Sequence, residues 1–65
     1  MFKNLRAEMA RVGMSGKQFA ETVGIKNSTF IQKINGRVDF NLSEIKRIKK
    51  FFGGLSFEYL FEKED

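Results

Sequence analysis

The chain has 65 residues and a net charge of +4, with twelve Lys or Arg and eight Asp or Glu side chains. It contains neither cysteine nor histidine, which excludes disulfides, Ser–His and Cys–His catalytic pairs and the usual zinc sites. An apolar fraction of 42% argues against a disordered chain, and no uncharged run is long enough for a membrane span or a signal peptide. We therefore expect one soluble, cytoplasmic domain over residues 1–65, with no metal or cofactor.

The first two predicted helices are separated by Gly13. The first is indicated by apolar residues at helical spacing, which are Phe2, Leu5, Met9 and Val12. The second begins at Ser15, because Ser15 and Gln18 have the spacing of a capping box. Met14 and Phe19 occupy the two positions of a hydrophobic staple around the same cap.

A tight turn and a third helix follow. Gly24 ends the second helix as a residue that readily takes positive φ. The third helix buries Phe30 and Ile34 and ends at Asn35-Gly36. A helix, a short turn and a second helix over about residues 15–36 predict a helix-turn-helix.

The last two predicted helices repeat these signals. Asn41 and Glu44 form a second capping box, and the residues expected to be buried are Ile45, Ile48 and Phe52. Gly53-Gly54 ends this helix, and Ser56 caps a short last one. The sequence therefore predicts an all-α fold, a compact five-helix bundle.

Charge is distributed unevenly along the chain. Residues 1–52 contain eleven basic and four acidic side chains, a balance of +7, whereas residues 53–65 contain one basic and four acidic, a balance of −3. A basic body with an acidic tail favours a polyanionic partner, although solubility alone explains the charge equally well. The tail carboxylates Glu58, Glu62 and Glu64 are more typical of a solvated face than of an acid–base pair, so we expect no enzyme.

Two segments resemble a known family. Residues 15–25 (SGKQFAETVGI) and 28–37 (STFIQKINGR) are similar to the helix-turn-helix of lambda repressor/Cro-like proteins, often called the Xre family. The pattern of residues 42–53 and residues 55–61 (LSFEYLF) also resembles that family's fourth and fifth helices. The resemblance implies a five-helix fold that binds operator-like double-stranded DNA as a dimer and regulates transcription.

The chain departs from the family pattern at several positions. Gly16 stands where many members have a glutamine that touches the DNA backbone, and Lys26 replaces the usual Ser or Thr cap of the recognition helix. Lys33-Ile34 stands where many members have an apolar residue followed by an acid, so we expect the usual pairing of that acid with an arginine in the first helix to be missing.

The exposed side of the third helix supplies the candidate DNA contacts. Four residues are predicted to read bases: Asn27, Ser28, Gln32 and Ile31. Asn and Gln can bond adenine, Ser accepts several partners, and an exposed Ile can meet a thymine methyl, although such a residue is more often a neutral surface position. Six residues are predicted to hold phosphates: Lys17, Lys26, Thr29, Lys33, Asn35 and Arg37. A second phosphate patch at Lys46, Arg47 and Lys50 is less favoured than a solvated outer face.

The C-terminal segment has more aromatic residues than a small core requires: Phe51, Phe57, Tyr59 and Phe61. A surplus of this kind favours a homodimer interface, unless Phe57 and Phe61 close the bottom of the bundle.

The favoured function is a sequence-specific, repressor-like transcriptional regulator of bacterial or phage type. The alternative, motivated by Gly16 and Lys26, is a protein-interaction module or antirepressor that keeps the fold without binding DNA.

Overall fold

A computed structural model describes residues 2–63 of the chain, and those residues form five α-helices and no strand. The helices are α1 (Lys3–Arg11), α2 (Gly16–Val23), α3 (Asn27–Ile34), α4 (Leu42–Phe51) and α5 (Phe57–Leu60). The predicted all-α class is confirmed. Glu64, one of the tail carboxylates considered above, and Asp65 lie outside the described residues.

Side-chain caps start three of these helices, as the sequence predicts. The Oγ of Ser15 accepts a hydrogen bond from the amide of Gln18 at 3.1 Å, and the Gln18 side chain accepts one from the amide of Ser15 at 2.9 Å. Asn41 and Glu44 make the same reciprocal pair at 2.8 and 2.9 Å. Ser56 caps α5 by accepting from the amide three residues later. Local sequence therefore places the starts of α2, α4 and α5.

The turn between α2 and α3 depends on Gly24. Its φ of +74° is in the left-handed region, where a side chain is strained. This conformation lets the amide of Ile25 reach the carbonyl of Ala20 at 2.8 Å and closes the end of α2. The side chain of Ile25 then turns into the core, and α3 begins two residues later.

The core joins residues from all five helices. Its largest fully buried side chains are Phe19, Phe30, Leu5, Ile48 and Leu60. The rings of Phe19 and Phe30 lie 5.6 Å apart between centroids, which packs α2 against α3, and Phe52 stacks on Phe19 at the same distance. α2 also packs against α4, and α1 against α5. The predicted inward positions Phe30 and Ile34 are confirmed.

Two predicted core positions differ from the structure. Val12 is 47% exposed, because α1 ends at Arg11 and the chain leaves the helical path at Val12. Ile45 is only half-buried, and its neighbour Glu44 is buried instead, because the Glu44 carboxylate is needed inside the cap of α4.

Of the four surplus aromatic residues, one packs against the core and three remain exposed. Phe61 is half-buried against the rings of Phe2 and Phe40, at 5.9 and 5.5 Å, and so closes the bottom of the bundle. Phe57 stacks on Phe61 but remains 46% exposed. The remaining two, Phe51 and Tyr59, are each 37% exposed, so the C-terminal end retains an apolar surface.

Candidate nucleic-acid interface

α3 presents one continuous exposed face. Ile31 and Gln32 lie one helical turn after Ser28, and the C-cap residue Asn35 lies one turn after them. We call these four residues the α3 surface. The opposite face of the helix is held in the core by Phe30 and Ile34. Because those two residues fix the rotation of the helix about its axis, the α3 surface must face outward. Three polar side chains and one Ile that is 46% exposed lie on it.

The first turn of α3 differs from those of α2 and α4. Lys26 is exposed in the N-cap position and has extended backbone angles, but its side chain makes no cap hydrogen bond. The Oδ1 atom of Asn27 is buried and accepts no hydrogen bond within residues 2–63. The neighbouring Thr29 is half-buried. The amide groups of this first turn therefore have no side-chain acceptor from the cap residue.

Lys33 does not lie where the sequence analysis placed it. The residue is 8% exposed, and its Nζ donates to Glu44 Oε1 of α4 at 2.5 Å. The interpretation of Lys33 as an exposed phosphate ligand is therefore wrong. Its long side chain extends from α3 along the core to the capping box of α4, where the carboxylate compensates for the buried charge.

Glu44 has the environment of a stabilised carboxylate. Burial alone would raise its pKa, but hydrogen bonds from Lys33 and the amide of Asn41, with the positive charges of Lys33 and Arg47, lower the pKa below the ordinary value of 4.5. The same oxygen, Oε1, accepts from both the ammonium group and the amide. Glu44 thus closes the cap of α4 and binds α3 to it, and it is ionised at neutral pH.

Arg6 of α1 is a neighbour of the α3 surface that the sequence analysis missed. It is exposed, and its Nη2 donates a short hydrogen bond to Asn35 Oδ1. A cleft of about 150 Å³ has Arg6 at its rim and is lined further by Met9, Gly16, Phe30, Ile31 and Ile34. We expected no acid–arginine pair because the acid is replaced, but an arginine is still present in the first helix. That arginine was the signal for this contact.

The same cleft shows how the start of α2 lies relative to α3. Gly16, the first residue of α2, and Ile31 of the α3 surface both line it. A Cβ at Gly16 would meet nothing within 4 Å, so no neighbouring residue requires glycine there. Lys17, the next residue, is exposed. The start of α2, the α3 surface and Arg6 therefore form one side of the molecule.

The remaining predicted contacts flank the α3 surface in the chain. Arg37 is exposed just after α3, where its amide donates to the carbonyl of Gln32 at 3.0 Å. Together with Lys17 and Lys26, it is an exposed cation close in sequence to the ends of α2 and α3. The side-chain amide of Gln32 is exposed on the surface itself. Polar groups that can recognise a ligand are thus bordered by positive charge.

Arg47, in contrast, is exposed but hydrogen-bonded to other parts of the fold. Its guanidinium donates to the carbonyl oxygens of Val23 at 3.1 Å and Gly24 at 2.9 Å, and to Ser43 Oγ at 3.0 Å. Lys46 and Lys50 of the same helix are exposed. The suggested second patch on α4 is therefore reduced to two exposed lysines, with its arginine bound to the end of α2.

Comparison with known proteins identifies no family, so the functional assignment rests on these residues. No protein-family model, curated protein or solved structure matches the chain. Within the described residues, no group of three or more Asp or Glu side chains is placed to hold a metal ion, and no helix is long and apolar enough to cross a membrane. The geometry of the α3 surface is therefore the basis for a functional conclusion.

Proposed function

We propose that this chain is a helix-turn-helix domain of the lambda repressor/Cro-like type that binds double-stranded DNA with sequence preference. It would act as a transcriptional regulator of bacterial or phage type, repressing by occupancy and needing no cofactor. Residues 15–36 form two helices and a three-residue turn, and the second helix exposes a polar face. An α-helix of this size fits the major groove, which is about 12 Å wide.

The observation that carries the proposal is the composition of the α3 surface. Ser28 and Gln32 are exposed polar residues on a helix whose other face is fixed in the core. Side chains of this kind can discriminate base edges in the major groove, and Gln can bond the N6 and N7 atoms of adenine together. Ile31, which is 46% exposed, would meet a thymine methyl. A purely structural role for the helix does not require this face.

Asn27 would contribute in a different way from the other base-reading residues. Its Oδ1 is buried without a hydrogen-bond donor among residues 2–63, a state that is unfavourable for an amide oxygen. Rotation of the side chain toward a base at the tip of the helix would give that oxygen a partner. We therefore retain Asn27 as a base contact that requires this rotation.

The phosphate contacts are revised by the positions of the cations. Lys17, Lys26 and Arg37 are exposed and remain in the set, whereas Lys33 is removed because Glu44 engages its ammonium group. Arg6 is added, because it lies against Asn35 at the edge of the α3 surface. Thr29 and Asn35 complete the set through a hydroxyl and an amide.

We also propose that the domain binds DNA as a homodimer through its C-terminal end. Phe57, which is 46% exposed, lines a groove of about 300 Å³ together with Phe40, Ile45, Phe61, Phe2 and Asp39. Leu42 and Val38 are also exposed, at 67% and 46%. Sedimentation at tens of micromolar tests this: Phe57→Lys should give the monomer mass and retain the helical circular-dichroism signal. An unchanged dimer would place the interface elsewhere.

The proposed function is tested by selecting duplexes from a random pool and then measuring Gln32→Ala. Because Gln32 is exposed, the variant should keep the melting temperature of the parent. On the selected duplex it should lose about 1–3 kcal/mol of binding free energy, and on random duplex almost none. Arg37→Ala is the matched control, since removing a phosphate contact should weaken both duplexes and flatten the salt dependence by about one unit.

Two outcomes would contradict this assignment. Equal loss of affinity for all sequences in Gln32→Ala would show that the α3 surface does not read bases. If no duplex is enriched and binding is independent of salt, the protein-interaction module becomes the better interpretation.

A further inference from the structure

The turn between α2 and α3 is covered by a side chain from outside the motif. Arg47, in the middle of α4, lies over residues 23 and 24, where its Nη1 donates to two successive carbonyl oxygens at 3.1 and 2.9 Å. Its Nη2 donates to Ser43 Oγ, one helical turn earlier on α4, at 3.0 Å. The guanidinium is thus fixed from both sides, by the turn and by its own helix.

This contact matches the chemistry of a helix end. The last carbonyl groups of α2 have no partners within the helix and give that end a partial negative charge. A guanidinium is a permanently charged, planar donor, so it can satisfy two carbonyl oxygens and a hydroxyl at once, which an ammonium group cannot do in the same geometry. Arg47 therefore acts as a C-terminal cap of α2 that is supplied by α4.

Gly24 fits beneath this cap. A Cβ built on Gly24 would lie 2.9 Å from Arg47 Nη1, closer than a normal contact. The positive φ of the turn requires glycine at this position, and a side chain there would also displace the guanidinium from its present place. Gly13 has the same φ of +74°, but a Cβ there meets nothing within 4 Å, so positive φ by itself does not bring a neighbouring side chain this close.

We infer that Arg47 is a positioning residue for DNA recognition: it fixes the turn at residues 23–24 and thereby the direction in which α3 presents its surface. The inference rests on the proposed function and assigns specificity to a residue outside the α3 surface. α3 has no side-chain cap of its own at Lys26, so the turn before it is fixed from α4. An altered turn would reorient α3 and weaken base contacts more than it weakens the phosphate contacts that any duplex offers.

The competing role for Arg47 is direct binding of phosphate, and the two roles predict different salt dependence. A phosphate ligand contributes to every duplex and to the salt slope, so its loss should flatten the slope by about one unit and leave the preference for the selected sequence unchanged. A positioning residue contributes to neither the slope nor non-specific binding. Its loss should lower the ratio of specific to non-specific affinity.

The experiment compares Arg47→Met with Lys46→Met, which removes one exposed charge from the adjacent position of α4. Both are measured on the selected duplex and on random duplex over a range of salt. Hydrogen bonds from a charged donor are worth about tenfold or more in an equilibrium constant. We therefore expect Arg47→Met to lower the specificity ratio by about tenfold at an unchanged salt slope, and Lys46→Met to keep the parental ratio.

Amide hydrogen exchange supplies a readout that needs no DNA. The amides of Gly24 and Ile25 donate within the turn, to Glu21 at 3.3 Å and Ala20 at 2.8 Å. In Arg47→Met these two amides should exchange about tenfold faster relative to the amides of α1, which correct for changes in global stability. Lys46→Met should leave the ratio unchanged. If Arg47→Met does not fold, Arg47→Lys, which keeps the charge and one donor group, is measured instead and should show the same changes at smaller amplitude.

The outcomes separate the inference from the function on which it rests. A flatter salt slope with the parental specificity ratio, or unchanged exchange at both amides, would overturn the positioning role while the proposed function stands. If the unmodified protein prefers no duplex, the proposed function fails and the role of Arg47 in recognition fails with it. Exchange would then still show whether Arg47 fixes the turn.

Discussion

α2 and α3 begin in different ways, although their first residues are only eleven positions apart in the chain. α2 begins in a reciprocal pair of hydrogen bonds between Ser15 and Gln18, made entirely within four residues. α3 begins at Lys26 with no side-chain cap, and polar contacts from two other helices hold it: Lys33 pairs with Glu44 of α4, and Asn35 accepts from Arg6 of α1.

Because of this difference, the position of α3 and its candidate site depends on contacts with neighbouring helices. A locally capped helix has its boundary fixed by short-range hydrogen bonds, which are available before the rest of the chain folds. A helix fixed by contacts between elements acquires its orientation only when those elements pack. The exposed side chains of α3 can therefore differ without disturbing the fold. Phe30 and Ile34 fix the rotation of the helix in the core, and polar contacts with α1 and α4 add to this.

The largest expected effect comes from breaking the packing between α2 and α3. Phe30 is fully buried against Phe19 and Phe40, so Phe30→Ala should cost about 3–5 kcal/mol in the free energy of unfolding. A domain of this size has a total stability of about 3–10 kcal/mol, so much of the population should unfold at room temperature. Urea titration followed by circular dichroism measures this.

Ile31→Ala is the control for that experiment. Ile31 is the next residue of α3 and is 46% exposed, so its truncation should change stability by less than about 0.5 kcal/mol. Similar midpoints for the two variants would show that the buried face of α3 is assigned incorrectly.

A smaller effect is expected from breaking the contact between α3 and α4. Glu44→Gln removes the charge but keeps an oxygen for the amide of Asn41, so it isolates the ion pair with Lys33 from the cap. We expect a loss of about 1.5–3 kcal/mol at pH 7, measured by urea titration. Asp39→Asn, which removes the exposed pair with Lys63, should cost less than about 1 kcal/mol.

The pH dependence of the same variant gives a second check. Because the pKa of Glu44 is lower in the folded protein than its ordinary 4.5, the ion pair stabilises the fold fully above that pH. The stabilisation is lost as the pH falls through the folded-state pKa. The difference between the parent and Glu44→Gln should therefore be constant from pH 5 to 7 and shrink below about pH 4.5. If the difference in stability between the parent and Glu44→Gln persists at low pH, it comes from the shape of the side chain rather than from its charge.

The smallest effect is expected from giving α3 the kind of side-chain cap that α2 already has. Lys26 has the extended backbone of an N-cap residue, so Lys26→Ser should stabilise the domain by about 0.5–1 kcal/mol relative to Lys26→Ala, which removes the same charge. Ser15→Ala should change the melting temperature in the opposite direction. Equal stability of the two Lys26 variants would mean that the first turn of α3 cannot accept a cap.

Much of the fold follows from short patterns in the sequence. The capping pairs at Ser15 and Asn41, the cap at Ser56 and the left-handed Gly24 are all local, and each was predicted with its role. The buried face of α3 also follows from the spacing of Phe30 and Ile34. These features involve residues within four positions of one another, where the geometry of a helix dictates which groups meet.

The candidate site was predicted less completely. The exposure of Gln32 and Ser28 follows from helical periodicity, but the burial of Lys33 does not, because a lysine at that position is stable only if another element supplies a carboxylate. Phe61 likewise belongs to the core only because Phe2 and Phe40 come together from distant parts of the chain.

Local patterns are enough to predict the five helices, the caps of α2, α4 and α5 and the turn before α3, since these depend on backbone hydrogen bonds and side-chain spacing within one or two turns. Which charged side chains remain available to a ligand depends instead on how the helices pack. Lys33 and Arg47 both look like surface cations in the sequence, yet one is paired with Glu44 and the other with the carbonyl groups that end α2. Whether a charge is available to a ligand depends on the partners that packing brings within about 3 Å of it, and those partners lie 11 and 23–24 residues away along the chain.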